Sequence, residues 1–272
     1  MVRSLWTAAT GMTAQQTNVD TIANNLANVN TTGYKTQVNE FKSLLYQNIQ
    51  TKTTSSDGTA KPTSAQVGLG VRNAALDSIF TQGNITASES DTAFAISGDG
   101  FFAVKSEDGT TKYTRNGNFI WAIGNNNRIT LTNSDGLPVL DSKGQAISLP
   151  NTYMTSKITV TADGTICYPD ENNNPQSLGN TIGLYQFNNP GGLNHDGDSL
   201  YSVTDASGQA INEATNANVK KSNVYQGYLE ASNVQVVDEM VNLIVAQRAY
   251  EMNSKAITAS DEMLQQANNL RR

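Results

Sequence analysis

The chain carries a single histidine, His195, in the run Asn-His-Asp-Gly-Asp at residues 194–198. A catalytic triad or a metal site would depend on this imidazole, and the two carboxylates beside it could bind a cation. The run has no glutamate at the later position that an EF-hand loop requires. Asn, Asp and Gly are also typical turn residues, so a surface turn is the favoured interpretation.

Two pairs of neighbouring acids, Glu107 with Asp108 and Asp170 with Glu171, could in principle supply the acid and the base of glycan hydrolysis. Both pairs are flanked by Gly, Asn or Pro. Adjacent acids in such a setting are far more often solvated turn residues. The sequence therefore predicts no catalytic residue, and we expect the chain not to be an enzyme.

Cys167 is the only cysteine, so neither an intrachain disulfide nor a cysteine-based zinc site can form. It lies in an alternating run at 157–168, and we expect a buried or half-buried thiol on a strand. The glycines at 68–70 and 98–100 lack the Lys and the Ser or Thr of a phosphate-binding loop. No residue is predicted to bind a metal or a cofactor.

The composition is poor in charge and rich in small polar residues. Of the 272 residues 15% are charged, and the net charge is -6. A nucleic-acid-binding protein would show a basic stripe, so that class is disfavoured. The sequence contains no run of about eighteen apolar residues, and its first residues lack the apolar segment of a signal peptide. We expect neither membrane insertion nor export by a cleaved leader.

Residues 4–29 have the spacing of an amphipathic helix, and Gly33 with the Asn and Thr residues before it is expected to end that helix. The apolar positions are alternately three and four residues apart, interrupted only by Gln15. This is the spacing of a coiled-coil seam, which meets a partner helix along its whole length. The predicted packing residues are Leu5, Ala8, Met12, Val19, Ile22, Leu26 and Val29.

Residues 234–268 return to helical spacing with an apolar band that is wider than one stripe. Two stripes would let this helix face the N-terminal helix and a neighbouring subunit together. The simpler alternative is an ordinary antiparallel helix pair packed on the rest of the protein. One stripe contains Val245, Ala249, Met252, Ala256, Ala259 and Met263, and the other gives the predicted packing residues Met240, Leu243, Tyr250, Ile257 and Leu264.

The middle of the chain, from 67 to about 225, has the pattern of an all-β body. Short apolar or alternating runs are separated by Asp-Gly, Asn-Gly and Ser-Gly pairs, which mark turns and hairpins. Strands are expected within 93–96, 101–104, 119–123, 128–132, 146–149, 157–160, 182–187 and 200–203.

A polar stretch at 50–66 separates the first helix from this body. It has too little apolar surface to support its own core, which predicts either a mobile loop or an arm ordered by its neighbours. The predicted fold class is therefore α+β. Residues 1–34 plus 234–272 would form a discontinuous domain of paired coiled-coil helices, 35–70 a connecting arm and 71–233 a central β domain.

Several segments resemble a known family. Residues 22–35, Ile-Ala-Asn-Asn-Leu-Ala-Asn-Val-Asn-Thr-Thr-Gly-Tyr-Lys, form a long and specific N-terminal motif of bacterial flagellar rod and hook axial proteins. The predicted signature residues within it are Ala23, Asn24, Asn25, Leu26, Ala27, Asn28 and Gly33. Further segments similar to this family lie at 98–104, 113–119, 187–193, 226–234 and 247–251. The segments at 4–6, 14–18, 44–47 and 68–72 are most similar to distal rod members of the family.

The resemblance implies a structural subunit of the flagellar basal body, exported through the flagellar type III apparatus. Such a subunit assembles helically with copies of itself into the distal rod, the shaft that transmits motor torque to the hook. The implied partners are hook and proximal rod proteins, with surrounding ring proteins as a further option. In this family the terminal helices form the inner tube, the β body forms the outer layer, and the arm at 41–70 contacts adjacent subunits.

Other interpretations stay open at this point. The chain could be a hook or a proximal rod subunit, although a hook protein usually has a larger β region. A secreted adhesin with a coiled-coil stalk and a peptidoglycan-acting enzyme are more distant alternatives. Neither of these explains the order of the motifs along the chain.

Overall fold

The computed structural model of the protein describes residues 2–50, 65–124, 127–170, 174–216 and 219–270. Within these residues two terminal helices, α1 (Val2–Ala27) and α2 (Val236–Asn269), flank a middle made mainly of strands, which confirms the predicted α+β class. The strands are β1 (Gln37–Ser43), β2 (Tyr46–Gln50), β3 (Ala65–Gly68), β4 (Val71–Ser78), β5 (Ile85–Ala87), β6 (Phe94–Ser97), β7 (Phe101–Lys105), β8 (Thr111–Thr114), β9 (Ile120–Ile123), β10 (Arg128–Thr132), β11 (Ser148–Pro150), β12 (Thr159–Val160), β13 (Thr165–Pro169), β14 (Pro175–Thr181), β15 (Leu184–Gln186), β16 (Asn194–Gly197), β17 (Leu200–Ser202), β18 (Ile211–Asn212), β19 (Asn223–Gln226) and β20 (Tyr228–Glu230).

The chain divides into two compact units. Unit 1 consists of Met1–Ala27, Gln37–Ser78 and Gln235–Arg272, and unit 2 consists of Asn28–Thr36 and Ile79–Val234. The backbone therefore passes from one unit to the other four times.

In unit 1 the two helices pack closely on each other. The Ser4 and Ser260 hydroxyl oxygens are 3.3 Å apart. A Cβ atom at Gly11 would lie 2.8 Å from the Asn253 side-chain nitrogen, so a larger residue at Gly11 would require the Asn253 side chain to move. Helix α1 ends two residues before the predicted position. Neither helix of the described residues has the length and apolar content needed to cross a lipid bilayer.

A second side of α1 packs on the antiparallel pair β1 and β4. Thr10 Oγ1 accepts a hydrogen bond from the Val71 amide at 3.4 Å. The Asn25 side chain binds both main-chain groups of Gln37, donating to its carbonyl at 2.8 Å and accepting from its amide at 3.0 Å. The buried amide of Asn25 thus fixes the start of β1 against the end of α1.

Strands β1 to β4 form a long antiparallel ladder that runs through the predicted arm. Ser43 pairs with Val71 in the first pair of strands, and Tyr46 pairs with Gly68 in the second. The predicted border at 70/71 falls inside this ladder, and β4 lies in unit 1. Residues 51–64, the greater part of the stretch predicted as a loop or an arm, lie outside the described residues.

Unit 2 is a β body whose largest sheet has the strand order β16-β17-β8-β7-β15-β18. Each of the eight expected runs overlaps an observed strand. The Asn116-Gly117 pair does not make a hairpin, because β8 and β9 before and after it belong to different sheets. Gly117 instead gives room to the Phe94 carbonyl, which a Cβ atom there would overlap.

Two clusters of buried side chains fill unit 2. The larger lies around Phe102, Phe119 and Leu131, and the smaller is rich in aromatic rings around Phe101 and Tyr201. Cys167 is buried on β13, as predicted. Its thiol therefore behaves as a small apolar core group.

Tyr113 gives this aromatic cluster a pH dependence. Burial, with a smaller contribution from Tyr185, raises the pKa of the Tyr113 hydroxyl from its ordinary value of 10.0 to about 12. A pKa raised by folding means that the neutral form is favoured, so this stabilisation is complete below pH 10 and is lost as the pH rises towards 12. We expect the stability difference between wild type and Tyr113→Phe to fall by about 2–3 kcal/mol across that window.

Urea unfolding at pH 9, 10, 11 and 12 checks this expectation. Tyr228→Phe, at an exposed strand position, controls for removal of a tyrosine hydroxyl. Parallel stability curves for wild type and Tyr113→Phe would contradict the expectation.

Candidate functional site: helix faces and a buried ion cluster

The predicted packing residues of α1 are divided between buried and half-buried positions. Ala8 and Ile22 are buried. Five others, Leu5, Met12, Val19, Leu26 and Val29, are half-buried. Gln15, the polar interruption in the stripe, is also half-buried. No residue of the predicted stripe is fully exposed, in keeping with a helix that is covered on this side.

The predicted packing residues of α2 separate into two groups. Leu243, Ile257 and Leu264 are half-buried and share a face with Ala246, Asn253 and Ser260. Because Asn253 and Ser260 contact α1, this is the face that meets α1. The positions follow each other at steps of three and four residues, as in a coiled-coil seam. Tyr250 has the same spacing and lines a cleft with Val19 of α1, although its side chain is exposed. Met240 lies outside this face and is exposed.

A second apolar face of α2 has no covering element among the described residues. We call it the outer face and define it by Val237, Val241, Val245, Met252 and Met263. The exposed fractions of Val237 and Met252 are 73% and 64%. Ala256 and Ala259 continue the same side of the helix. Contiguous exposed apolar surface of this kind marks an interaction site.

The signature residues lie around the end of α1 and the segment after it. Asn25 is buried in its clamp on Gln37, whereas Ala23, Asn24 and Ala27 are exposed. Leu26 and Asn28 are half-buried, and Gly33 is buried. The motif thus contains residues with internal structural roles together with residues that stay on the surface.

A buried ion cluster in unit 2 joins three of the family-like segments. Lys35 comes from the N-terminal motif, Arg115 follows β8, and Glu230 ends β20. Lys35 Nζ lies 2.6 Å from Glu230 Oε1, and Arg115 Nη1 lies 3.2 Å from Glu230 Oε2. All three side chains are at most 1% exposed. One carboxylate therefore holds two cations in a site that is closed to bulk solvent.

Main-chain groups also bind the members of this ion cluster, although Arg115 Nε has no hydrogen-bond partner among the described residues. Lys35 Nζ donates to the Thr81 carbonyl at 2.8 Å, and Arg115 Nη2 donates to the Gly98 carbonyl at 2.7 Å. The Gly83 amide donates to Glu230 Oε1 at 2.9 Å. Burial lowers the pKa of Lys35 in spite of the opposing effect of Glu230. Each charge is expensive to bury, so the cluster is sensitive to the loss of any partner.

The Asn233 side chain is hydrogen-bonded to two other chain segments that lead towards unit 1. We call this set of contacts the Asn233 clamp. Its Oδ1 accepts hydrogen bonds from the Thr36 amide and hydroxyl, both at 2.8 Å. Its Nδ2 donates to the Ile79 carbonyl at 2.8 Å and to the Thr81 carbonyl at 3.2 Å. The Ile79 amide in turn donates to the Thr36 carbonyl at 2.9 Å. Three of the four segments that connect the units are thus bonded to one another within unit 2.

The sequence analysis missed the ion cluster and the Asn233 clamp as sites. A usable signal was present, because Lys35, Arg115 and Glu230 each lie inside a segment that resembles the flagellar family. Charged residues are scarce in this chain, so their presence in such segments was informative. Pairing them, however, requires the topology of unit 2.

Gly33 must be glycine for two separate reasons. Its φ of +70° lies in the left-handed region, and a Cβ atom there would be 2.6 Å from the Asn116 amide nitrogen. We expect Gly33→Ala to lower the free energy of unfolding of unit 2 by about 3 kcal/mol. The matched control is Gly109→Ala, at φ +77° with no atom within 4 Å of the added Cβ.

The control isolates the backbone cost, about 1 kcal/mol, from the cost of the clash. Urea unfolding of both variants measures the two effects. Equal losses at Gly33 and Gly109 would show that the contact with Asn116 relaxes freely.

The residues considered for catalysis or metal binding are not brought together. His195 lies on β16 opposite Tyr201, with the ring centroids 4.8 Å apart. The turn itself is formed by the next residues, Asp198 and Ser199, at φ values of 50° and 58°. Glu107 and Asp108 are in a turn, and Glu171 lies outside the described residues. The described part of the chain contains no group of three His, Cys, Asp or Glu residues placed to hold a metal ion.

Three family models match the chain. Residues 5–35 match the flagella basal body rod protein model, and residues 95–168 match the model of the flagellar hook protein FlgE/F/G D1 domain. Residues 225–270 match the model of the flagellar basal body rod FlgEFG protein C-terminal region. The three matches contain most of α1, the ion-cluster residues Lys35, Arg115 and Glu230, and nearly all of α2.

Relatives match from end to end. The flagellar basal-body rod protein FlgG of Borreliella burgdorferi is 46% identical over 100% of both chains. FlgG of Caulobacter vibrioides is 41% identical over 99% of this chain and 100% of its own, and FlgG of Bacillus subtilis is 36% identical over 100% of both. Similarity of this extent covers both units and all four connections between them. The chain belongs to the FlgG family of flagellar basal-body rod proteins.

Proposed function

We propose that this chain is the distal rod subunit, which polymerises helically through its terminal helices into the shaft that carries motor torque to the hook. The observation that carries this proposal is the outer face of α2. In a single copy of the chain the described residues leave this apolar stripe uncovered, while the opposite side of α2 is occupied by α1. A second copy of the chain would cover it and bury the apolar surface that drives association.

The pairing of α1 with α2 is proposed to be a coiled coil that forms the inner layer of the polymer. The inward positions of α2 keep three- and four-residue steps from Leu243 to Leu264, which is the spacing that a coiled coil requires. The predicted helical domain, 1–34 plus 234–272, would then be the part that builds the tube. The predicted β domain, 71–233, would form the outer layer.

The hairpin of β2 and β3 is proposed as a second contact between subunits. Leu45 is 83% exposed, and Tyr46 and Ile49 are also exposed on strands that pair only with each other. A two-stranded ribbon is marginally stable alone, so a neighbouring surface would stabilise it. This supports the predicted contact of the segment at 41–70, within the connecting arm 35–70, with adjacent subunits.

The proposed partners follow from the position of the distal rod. They are further copies of this chain, the hook and proximal rod proteins at the two ends, and the flagellar type III export apparatus. Ring proteins that surround the rod are further proposed partners, because they would lie at the same location. Nucleic acid and membrane insertion play no part in the proposed role.

Assembly of the purified full-length protein tests the proposed function. We expect helical filaments or tubes to form above a critical concentration, seen by electron microscopy and by sedimentation. The constant rotation and rise from one subunit to the next would appear as layer lines in the diffraction patterns of the filament images. A protein that stays monomeric at all concentrations would contradict the proposal, and a closed oligomer of fixed size would favour the adhesin alternative.

A further inference from the structure

Asn39 on β1 is a buried amide with unmet hydrogen bonds. Its exposed fraction is 8%, and neither its Oδ1 nor its Nδ2 has a partner among the described residues. A buried polar group without a partner is rare and destabilises the folded state. Asn25 on α1 is a buried amide whose hydrogen bonds are satisfied, since it binds both main-chain groups of Gln37, two residues before Asn39 on β1.

Asn39 lies in the wall of a cleft of about 270 Å³ in unit 1, between α1, β1 and α2. Buried polar groups of Thr21 and Glu239 line the interior, and burial raises the pKa of the Glu239 carboxyl. An unmet hydrogen bond is costly for an amide that is buried to this extent. The remaining lining includes three exposed apolar side chains, those of Val38, Phe41 and Val245.

The chemistry of the amide selects the kind of group that can satisfy it. Asn39 offers one acceptor and one donor group, and both are unpaired. A lysine or arginine side chain supplies donors only, and a carboxylate supplies acceptors only, so each would leave one side of Asn39 unmet. A main-chain peptide group supplies both. The contact of Asn25 with Gln37 is an example of this recognition in the same unit.

We propose that the Asn39 cleft receives a main-chain peptide group of a second copy of this chain and thereby sets the register of the subunit contact. The inference rests on the proposed self-assembly, because Val245 belongs both to the cleft and to the outer face of α2. A copy that covers the outer face therefore also covers the cleft.

This contact adds specificity to an interface that is otherwise apolar. Apolar faces tolerate sliding, since a shift along the helix still buries hydrophobic surface. A buried polar group that is paired in only one alignment penalises every other alignment, as a single buried asparagine does in coiled coils. The Asn39 contact would thus select one helical arrangement from several of similar buried area.

The test is Asn39→Leu, which keeps the size of the side chain and removes its polar atoms. We expect the melting temperature of the unassembled protein to rise, because the unmet amide is gone, and the critical concentration for assembly to increase about tenfold. Asn39→Asp, which loses the donor, should also raise the critical concentration without stabilising the monomer. Asn223→Leu, at an exposed strand position in unit 2, is the control for added apolar surface.

Different failures separate the inference from the proposed function. If the wild type never assembles, both are contradicted. If the wild type assembles and Asn39→Leu does so at the same concentration with the same helical order, only the Asn39 contact is wrong. A lower melting temperature for Asn39→Leu would show that the amide is already paired in the monomer and would also overturn the inference. A reconstruction of the wild-type polymer should place main-chain atoms about 3 Å from both amide atoms of Asn39.

Discussion

Glu230→Gln is expected to lower the free energy of unfolding of unit 2 by about 3–5 kcal/mol. The substitution keeps the shape of the side chain but removes the carboxylate that binds both Lys35 and Arg115 in the buried ion cluster. The two buried cations would then face a neutral amide. The NH2 group of this amide would point towards one of the two cations. Urea unfolding followed by the fluorescence of Trp121, in a Trp6→Phe background, reports on unit 2 alone.

The exposed ion pair of Arg248 with Glu251 gives the control. Its atoms are 2.9 Å apart, but the two side chains are 73% and 52% exposed. Arg248→Ala should change the free energy of unfolding by no more than about 0.5 kcal/mol. Adding Lys35→Met to Glu230→Gln should cost less than the sum of the single changes, because it removes one of the stranded cations. A loss below about 1 kcal/mol for Glu230→Gln would contradict the role given to this cluster.

The double substitution Val245→Asp with Met252→Asp should abolish polymerisation at concentrations where the wild type assembles. Both side chains lie on the outer face of α2, so the variant monomer keeps its fold and its helix content. In the polymer each aspartate would have to lose its water without gaining a partner, which costs several kcal/mol per site. We expect the critical concentration to rise at least about 100-fold.

Thr258→Asp with Gln265→Asp is the matched control. These positions are also exposed, are also seven residues apart and add the same charge, but they lie away from the outer face. This variant should assemble close to the wild-type concentration. Ile257→Asp gives a third outcome, because Ile257 is half-buried on the side facing α1 and its substitution should destabilise the helix pair itself. Normal assembly of the Val245 and Met252 double variant would remove the outer face from the interface.

Elements whose signal is local could be predicted from the sequence. The steps of three and four residues from Leu5 to Val29 and from Val245 to Met263 predicted both helices, and the alternating runs located eight strands. Strand β14, with the sequence Pro-Gln-Ser-Leu-Gly-Asn-Thr, has no such pattern and owes its pairing to β13. The same holds for the polar ladder of β2 with β3.

Contacts between distant residues could not be predicted, because they depend on how the chain is routed. Lys35 and Glu230 are 195 residues apart, and Asn233 meets Thr36 across 197 residues. Lys35, Glu230 and Asn233 lie in family-like segments, but nothing in their local sequence shows which distant residue each one meets. Asn39 is similar, since an asparagine at an otherwise exposed strand gives no sign that its amide is enclosed.

The Asn233 clamp also has a consequence for the order of folding. Helices α1 and α2 come from opposite ends of the chain, so their pairing in an unfolded chain would close a loop of about 200 residues. Once unit 2 has folded, Thr36 and Asn233 are already held together, and the remaining free loop is only on the order of ten residues. The entropic contribution to the free energy of closing this loop is then smaller by about 2.5 kcal/mol. A chain in which unit 2 is already folded therefore loses less conformational entropy when its terminal helices pair.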